Sequence, residues 1–217
     1  MPGQETEMLS NELLSLANDL PTNDLHNNHG NQIRFWYCVH EAGHFIIARD
    51  LGLKVDYVIA NYRGGVTGDR VETRAQSVAR VAAAGLGGER LLKSEFEDPK
   101  RAKFYQFLPL THLLTALDNL HGSRISSDRE LFAKCVSVAD LVGAFIFEAD
   151  QAGRIIALKY PRQFGRTICE LYRNQYIGIR IGDLIFQNLT TTSDALRRDF
   201  ENIPEAIRRN YNLSLSH

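Results

Sequence analysis

Five consecutive residues, His40-Glu41-Ala42-Gly43-His44, have the types and spacing of a hydrolytic metal site. On a helix, positions i and i+4 lie about 40° apart around the axis, so both imidazoles leave from one face. Two neutral imidazoles placed in this way can hold one Zn²⁺ at about 2.0–2.1 Å. Glu41 stands beside the first ligand, where its carboxylate can reach a water polarised by the metal without binding the ion itself. Its task would be to take a proton as that water attacks a peptide carbonyl, then to pass it to the leaving amine. Chance would place this pattern in about one chain per hundred of this composition. The neighbours sharpen the signal. Ile33, Phe35, Trp36, Val39, Phe45, Ile46, Ile47 and Leu51 are apolar nearly all round, which predicts a buried helix from Ile33 to Leu51, stopped at Gly52. Unpartnered polar groups inside such a helix would be strongly destabilising, and a metal would offset that.

A catalytic zinc needs a third protein ligand and a fourth position open to water. The extended H-E-x-x-H-x-x-G-x-x-H pattern is absent, because Ile47 stands where its Gly would be. The third ligand must come from further along the chain, and Glu72, Glu89 and Asp128 are the candidates; spacing does not choose among them. Asp128 also fits the ordinary role of an acid near a helix start. Other polar residues carry less. His26 and His29 form an H-x-x-H pair in a polar loop, where composition favours solvation over a second metal site. His112 and His121 read as surface residues, Trp36 and Tyr37 as packing before the first His, and Arg197, Arg198, Arg208 and Arg209 as a solvated basic face.

The elements that must position these groups are mostly helical. Leu53–Ala60 favours a strand, and Tyr62–Gly68 reads as a turn and a second short strand. Val71–Leu92 is an Ala-rich helical pattern carrying Gly85, Gly87 and Gly88. Each Gly costs up to about 1 kcal/mol there, which points to close approach of another backbone or to a break. Glu95–Lys103 reads as a charged connector, and Pro109–Gly122 as a short helix. Ser126–Glu148 reads as a helix with Ser127 and Glu130 in a capping box. Helix continues to Tyr160, and Pro161 kinks it or opens another that runs to about Arg173. Ile179–Leu189 fits strand or helix, and Ser193–Arg209 is an amphipathic helix interrupted at Pro204. The fold class expected is mainly α with a small β element.

The chain has 217 residues, with 44% apolar and 24% charged, the balance of an ordinary globular protein of one or two domains. Lys and Arg number 25 against 26 Asp and Glu, so no general charge draws it to nucleic acid or to anionic membrane. Cys38, Cys135 and Cys169 are too few and scattered for a disulfide framework. No secretory leader and no membrane-spanning run are read from the sequence, so the expected location is cytoplasmic. Three regions are expected: a polar lead-in at 1–31, a domain at 32–189, and a helical tail at 190–217.

His40-Glu41-Ala42-Gly43-His44 after Cys38-Val39 resembles the peptidase-domain signature of the FtsH-type AAA+ zinc metalloproteases. Three further segments are similar in the family's order: Lys54–Gly68, ending Arg63-Gly64-Gly65-Val66-Thr67-Gly68; Ala82-Ala83-Ala84-Gly85-Leu86-Gly87-Gly88; and Ile125-Ser126-Ser127-Asp128. The resemblance covers roughly Arg34–Arg173. It implies a zincin-like active-site helix, Asp128 as the third zinc ligand, and a cleft flanked by the Gly64, Gly65 and Val66 turn, where an extended substrate would lie along a strand edge near Val55–Gly68. The chain also departs from the family. It has no Walker A run and no membrane spans. Leu92 and Lys93 stand where the family has acidic residues that orient a ligand, with Glu89 and Glu95 as the nearby substitutes. About forty residues separate Gly88 from Asp128, so 97–121 reads as an insertion that could be a lid, an oligomer contact or a binding face. The function expected is a zinc-dependent peptidase acting on peptides or unfolded segments without its own ATPase, for which a separate ATPase or adaptor chain is a candidate partner. The alternative is a catalytically silent, metal-stabilised interaction module.

Overall fold

The computed structural model describes residues 7–14, 24–60, 65–68, 75–120 and 124–215. The chain opens with helices at 7–14 (α1), Asp24–Asn27 (α2) and His29–Asp50 (α3), followed by strands Val55–Ile59 (β1) and Gly65–Gly68 (β2). Helices Ala75–Glu97 (α4), Pro99–Ala102 (α5), Leu110–Leu120 (α6), Arg124–Cys135 (α7), Leu141–Lys159 (α8) and Pro161–Asn174 (α9) come next. Strand Tyr176–Gly178 (β3) then leads to helices Ile179–Phe186 (α10), Ser193–Asn202 (α11) and Glu205–Asn210 (α12). The protein is mainly helical, with one small sheet among the described residues.

The α3 helix is the axis of the core. It begins before the dense apolar pattern, because the Asn28 side chain accepts from the Asn31 N–H at 3.2 Å and caps it. It ends where Gly52 takes a left-handed conformation, φ 68°, and the Leu53 N–H returns to the Ala48 carbonyl at 2.9 Å. Between these ends Phe35, Trp36, Cys38, Val39, Ala42, Phe45, Ile46 and Ile47 are buried. The all-round apolar pattern thus reports a helix enclosed by α4, α6, α9 and the sheet.

The glycines of α4 answer the question their cost raises. A Cβ on Gly43 would lie 2.3 Å from the Ala84 carbonyl oxygen, and one on Gly87 would lie 2.4 Å from the Ala149 carbonyl oxygen. The three helices α3, α4 and α8 therefore touch backbone to backbone, and α4 continues unbroken through all three of its glycines.

The sheet has the order β2-β1-β3, antiparallel throughout, with Val58 opposite Val66 on one side and Ile177 on the other. This changes where a strand-like ligand could pair. β1 is the central strand, so a segment along Val55–Ile59 finds both edges occupied, and among the described residues nothing pairs with the outer edge of β2 at Gly65–Gly68. β3 is too short for its own sequence to announce: Tyr176, Ile177 and Gly178 follow Gln175, whose left-handed φ of 65° closes α9.

Several boundaries differ from those read off the sequence. The Glu95–Lys103 stretch is not a connector: α4 runs to Glu97, and the buried Glu95 carboxylate accepts from Arg101 and faces the Tyr105 hydroxyl at 3.5 Å. The 97–121 segment, over its described residues, is built into the core. Leu113, Ala116 and Leu117 are buried, and the Trp36 indole N–H donates to the Leu113 carbonyl at 2.6 Å. Ser126–Glu148 is two helices, because Asp140 caps α8 through the Gly143 N–H at 2.9 Å. Ser127 lies inside α7, so the Ser127–Glu130 capping box does not form. Pro161 opens α9 at its first position, and Ile179–Phe186 is helix. The lead-in contributes Leu9, Leu13 and Leu25 to the core. The tail is tied in through Asp199, which accepts from the Arg180 and Ile181 N–H groups at 3.0 and 2.9 Å.

Replacing Gly87 with Ala tests the contact between α4 and α8, since the new methyl meets rigid backbone on α8. Overpacking of this kind costs about 1–3 kcal/mol, read as a lower urea midpoint at unchanged slope.

Candidate metal centre

His40 and His44 lie on the side of α3 that faces α4, with their ring centroids 4.6 Å apart and nearly perpendicular at 85°. Both are buried, at 3% and 7% exposure, as is Glu41 at 5%. Their room comes from Gly85 of α4, where a Cβ would lie 2.6 Å from His40 Nε2 and 2.7 Å from His44 Nε2. Any larger residue at 85 would occupy the space into which both rings point.

Each ring is held by its other nitrogen. His40 Nδ1–H donates to Glu89 Oε1 at 2.8 Å, and His44 Nδ1–H donates to the Val81 carbonyl at 2.6 Å. A carbonyl can only accept, so the proton of neutral His44 sits on Nδ1 and its Nε2 presents a lone pair. The Glu89 carboxylate imposes the same tautomer on His40. This is the arrangement by which outer groups orient metal-ligating imidazoles and raise their basicity.

Asp128 arrives from α7 and completes a triangle of acceptors. Its Oδ2 is 2.9 Å from His40 Nε2 and 3.4 Å from His44 Nε2, and the two Nε2 atoms are 3.0 Å apart. Two ligands about 2.05 Å from a tetrahedral ion stand about 3.3 Å from each other, close to these spacings. Two buried imidazole nitrogens and a part-buried carboxylate oxygen converging on one point repel one another unless a cation or protons lie between them. Among the described residues, His40, His44 and Asp128 are the group of His, Cys, Asp and Glu side chains that could hold a metal ion. The donor set, two imidazoles and a carboxylate, suits Zn²⁺ and related divalent ions.

Asp128 lies one turn inside α7, whose first residue is Arg124, so capping of its own helix does not explain it. It is aimed by packing. Phe132, one turn further on, is buried against Phe145 of α8 with ring centroids 5.3 Å apart, in a cluster with Ala79, Ala82, Ala83 and Leu86 of α4. That second core fixes α7 against α4.

The electrostatics follow from the triangle. Burial opposes protonation of His44, but the Asp128 carboxylate beside it outweighs burial, with Glu41 assisting, and the His44 pKa is raised above 6.5. Burial likewise penalises the Asp128 charge, yet the two imidazoles hold its carboxyl well below the ordinary carboxylate range.

The other sequence candidates fall as follows. Glu89 contacts His40 on Nδ1, the far side of the ring from the triangle of candidate ligand atoms, so it lies where it would orient a ligand rather than be one. Glu95 is spent on Arg101 and Tyr105. Glu72 and Gly64 lie outside the described residues, as does His121. Gly65 and Val66 fall on β2, which packs against α3. His26 and His29 are exposed and His112 is exposed on α6. Arg197 and Arg198 pair with Asp194, Arg209 pairs with Glu205, and Arg208 covers the Phe200 ring at 4.8 Å. Sequence reasoning passed over Val81 and Phe132. A backbone carbonyl has no sequence signal, and a Phe that aims a ligand looks like any core Phe.

Comparison with known protein families, with curated proteins and with solved structures gives no match.

Two outcomes check this geometry. Asp128→Ala should lose the zinc taken up by the wild-type chain, while Glu89→Gln should retain a site weakened about 10–100-fold, both measured by competition with a chelating dye. Protons compete with the ion for His44 Nε2, so the sign of the pH effect follows. Because its folded pKa is raised, His44 stabilises the metal-free fold below pH 6.5 and loses that contribution as pH rises through the raised value. Zinc binding gains over the same interval. The difference in Tm between zinc-loaded and metal-free protein should therefore widen as pH rises above 6.5.

Proposed function

We propose that this chain is a zinc-dependent metallopeptidase of zincin-like type, with His40, His44 and Asp128 holding the ion and Glu41 as general base and acid. The convergence of His40 Nε2, His44 Nε2 and Asp128 Oδ2, with Glu41 adjoining the first ligand on the same helix, carries the proposal. When bound, the ion supplies Lewis acidity, polarising a substrate carbonyl and making water acidic enough to ionise near neutral pH. Glu41 is buried, and its charge acts on His44, which puts the carboxylate within electrostatic reach of the ligand group. There it takes the proton of the attacking water and delivers it to the departing amine nitrogen, so that the peptide C–N bond breaks as the new C–O bond is made. Glu89 and the Val81 carbonyl keep both imidazoles in the tautomer that leaves Nε2 free.

Substrate is a peptide or an unfolded segment. An extended chain that pairs with the outer edge of β2 at Gly65 and Val66 would be held by its backbone, a mode that demands little of its sequence. The short-motif resemblance to FtsH-type peptidases supports the same chemistry, and with it a separate ATPase or adaptor chain for folded substrates. A metal-stabilised interaction module without turnover is the second reading. It is favoured by the exposed apolar residues Val138, Val142 and Phe147 around the start of α8.

Glu41→Gln separates the two. Turnover of an unstructured peptide library by the zinc-loaded protein should fall at least about 100-fold while zinc content stays the same. Equal turnover in wild type and variant would remove Glu41 as the general base, and none in either would leave the interaction module.

A further inference from the structure

Asp128 reaches the two imidazoles from α7, and α7 is held differently from the helices it meets. Over residues 126–135 one side chain, Phe132, is buried, at 1% exposure. Leu131 and Cys135 are partly covered, while Ser126, Ser127, Arg129, Glu130, Ala133 and Lys134 are exposed. By contrast, α3 is buried without a break from Cys38 to Ala48. Phe132 belongs to the smaller core, with Phe145 and the α4 alanines, and not to the large core around α3. The chain that follows, 136–140, has no regular structure, and Val138 stands 49% exposed in it.

Two elementary costs set how firmly such a helix sits. A helix of 12 residues is marginal by itself in water, so α7 depends on what it docks against. One buried Phe offsets the ordering entropy of no more than a few residues. α7 reaches α3 through the Asp128 carboxylate, whose Oδ2 meets His40 Nε2 at 2.9 Å and His44 Nε2 at 3.4 Å. These lone pairs repel as they stand. An ion held by all three atoms would turn that repulsion into an attraction between α7 and α3.

We propose that α7 is a clasp: its docking and the binding of the ion are one coupled event, so that the ion locks α7 down and α7 opens when the ion leaves. The inference rests on the metal centre proposed above and adds how that centre is entered. His40 and His44 are set in place by α3 and α4, so Asp128 is the ligand that moves, and the ion passes on the α7 side. Such coupling is reciprocal, and whatever disfavours the docked helix weakens the ion by the same factor.

The test compares hydrogen exchange of the full chain with and without zinc, with zinc uptake measured on the same samples by competition with a chelating dye. Zinc should slow the amides of α7 at least about tenfold and leave those of α9 unchanged. Ala133→Gly supplies a second measurement. Ala133 is exposed, so the change acts through helix propensity and removes no core contact. With docking and binding coupled, zinc should bind about fivefold more weakly, whereas a helix docked at all times would leave the affinity as it is. No zinc uptake by the wild-type chain overturns the metal centre, and the clasp with it. Uptake with α7 exchange unaltered, or with Ala133→Gly binding zinc as the wild type does, overturns the clasp alone.

Discussion

The close approach of α3 to α4 is the constraint from which the rest of the molecule follows. At Gly43 and Ala84 the two backbones come so near that a single methyl on Gly43 would fall 2.3 Å from a carbonyl oxygen. One consequence is that the α3 side chains on either side of Gly43, His40 and His44, are pressed against α4 and find there what they need. Gly85 leaves room for their Nε2 atoms, while Val81 and Glu89 accept from their Nδ1 atoms. Another is that α4 must stay small along one face, which accounts for the run of Ala and Gly that would otherwise be a weak helix. Helix propensity has been given up for proximity.

Two cores of different character divide the work of holding the candidate metal centre. The larger, around α3, α6, α9 and the sheet, buries large side chains such as Trp36, Phe45, Phe164 and Tyr176 and makes α3 a rigid platform. The smaller, between α4, α7 and α8, is lined by alanines with the Phe132–Phe145 pair at its centre. Its task is to bring α7 in at the position that carries Asp128 to the imidazoles. The site therefore sits where the two cores meet, and its three proposed ligands come from both. A buried imidazole pair facing a carboxylate is costly to assemble without compensation, and the outer hydrogen bonds keep it in one arrangement.

The segment between α4 and α7 has a structural role that its charge and length disguise. Residues 98–102 form a capped turn of helix, Tyr105 seals the buried Glu95, and α6 offers the Leu113 carbonyl to the Trp36 indole. Trp36 lies one turn before His40, so the segment braces the same helix that holds the metal candidates. Its Arg and Lys residues are at the surface, where they made the stretch look like a linker.

The sequence by itself determined the helix that carries His40, Glu41 and His44, the mainly helical class, and the need for a reason behind three glycines in α4. Each of these rests on local rules: the 3.6-residue period, the i,i+4 spacing, and the cost of glycine in a helix. The Pro161 and Pro204 breaks were legible on the same ground. Only the tertiary structure decided what depends on distant partners. It split Ser126–Glu148 at Asp140, gave β1 a second neighbour in three residues too short to show a period, and set Glu89 against His40 Nδ1, away from the other candidate ligand atoms. It also brought Asp128 to the two imidazoles across 88 positions of chain, through the packing of a Phe that no motif marks. Spacing along a helix is fixed by the backbone, whereas the meeting of two helices is fixed by how their side chains fill the space between them.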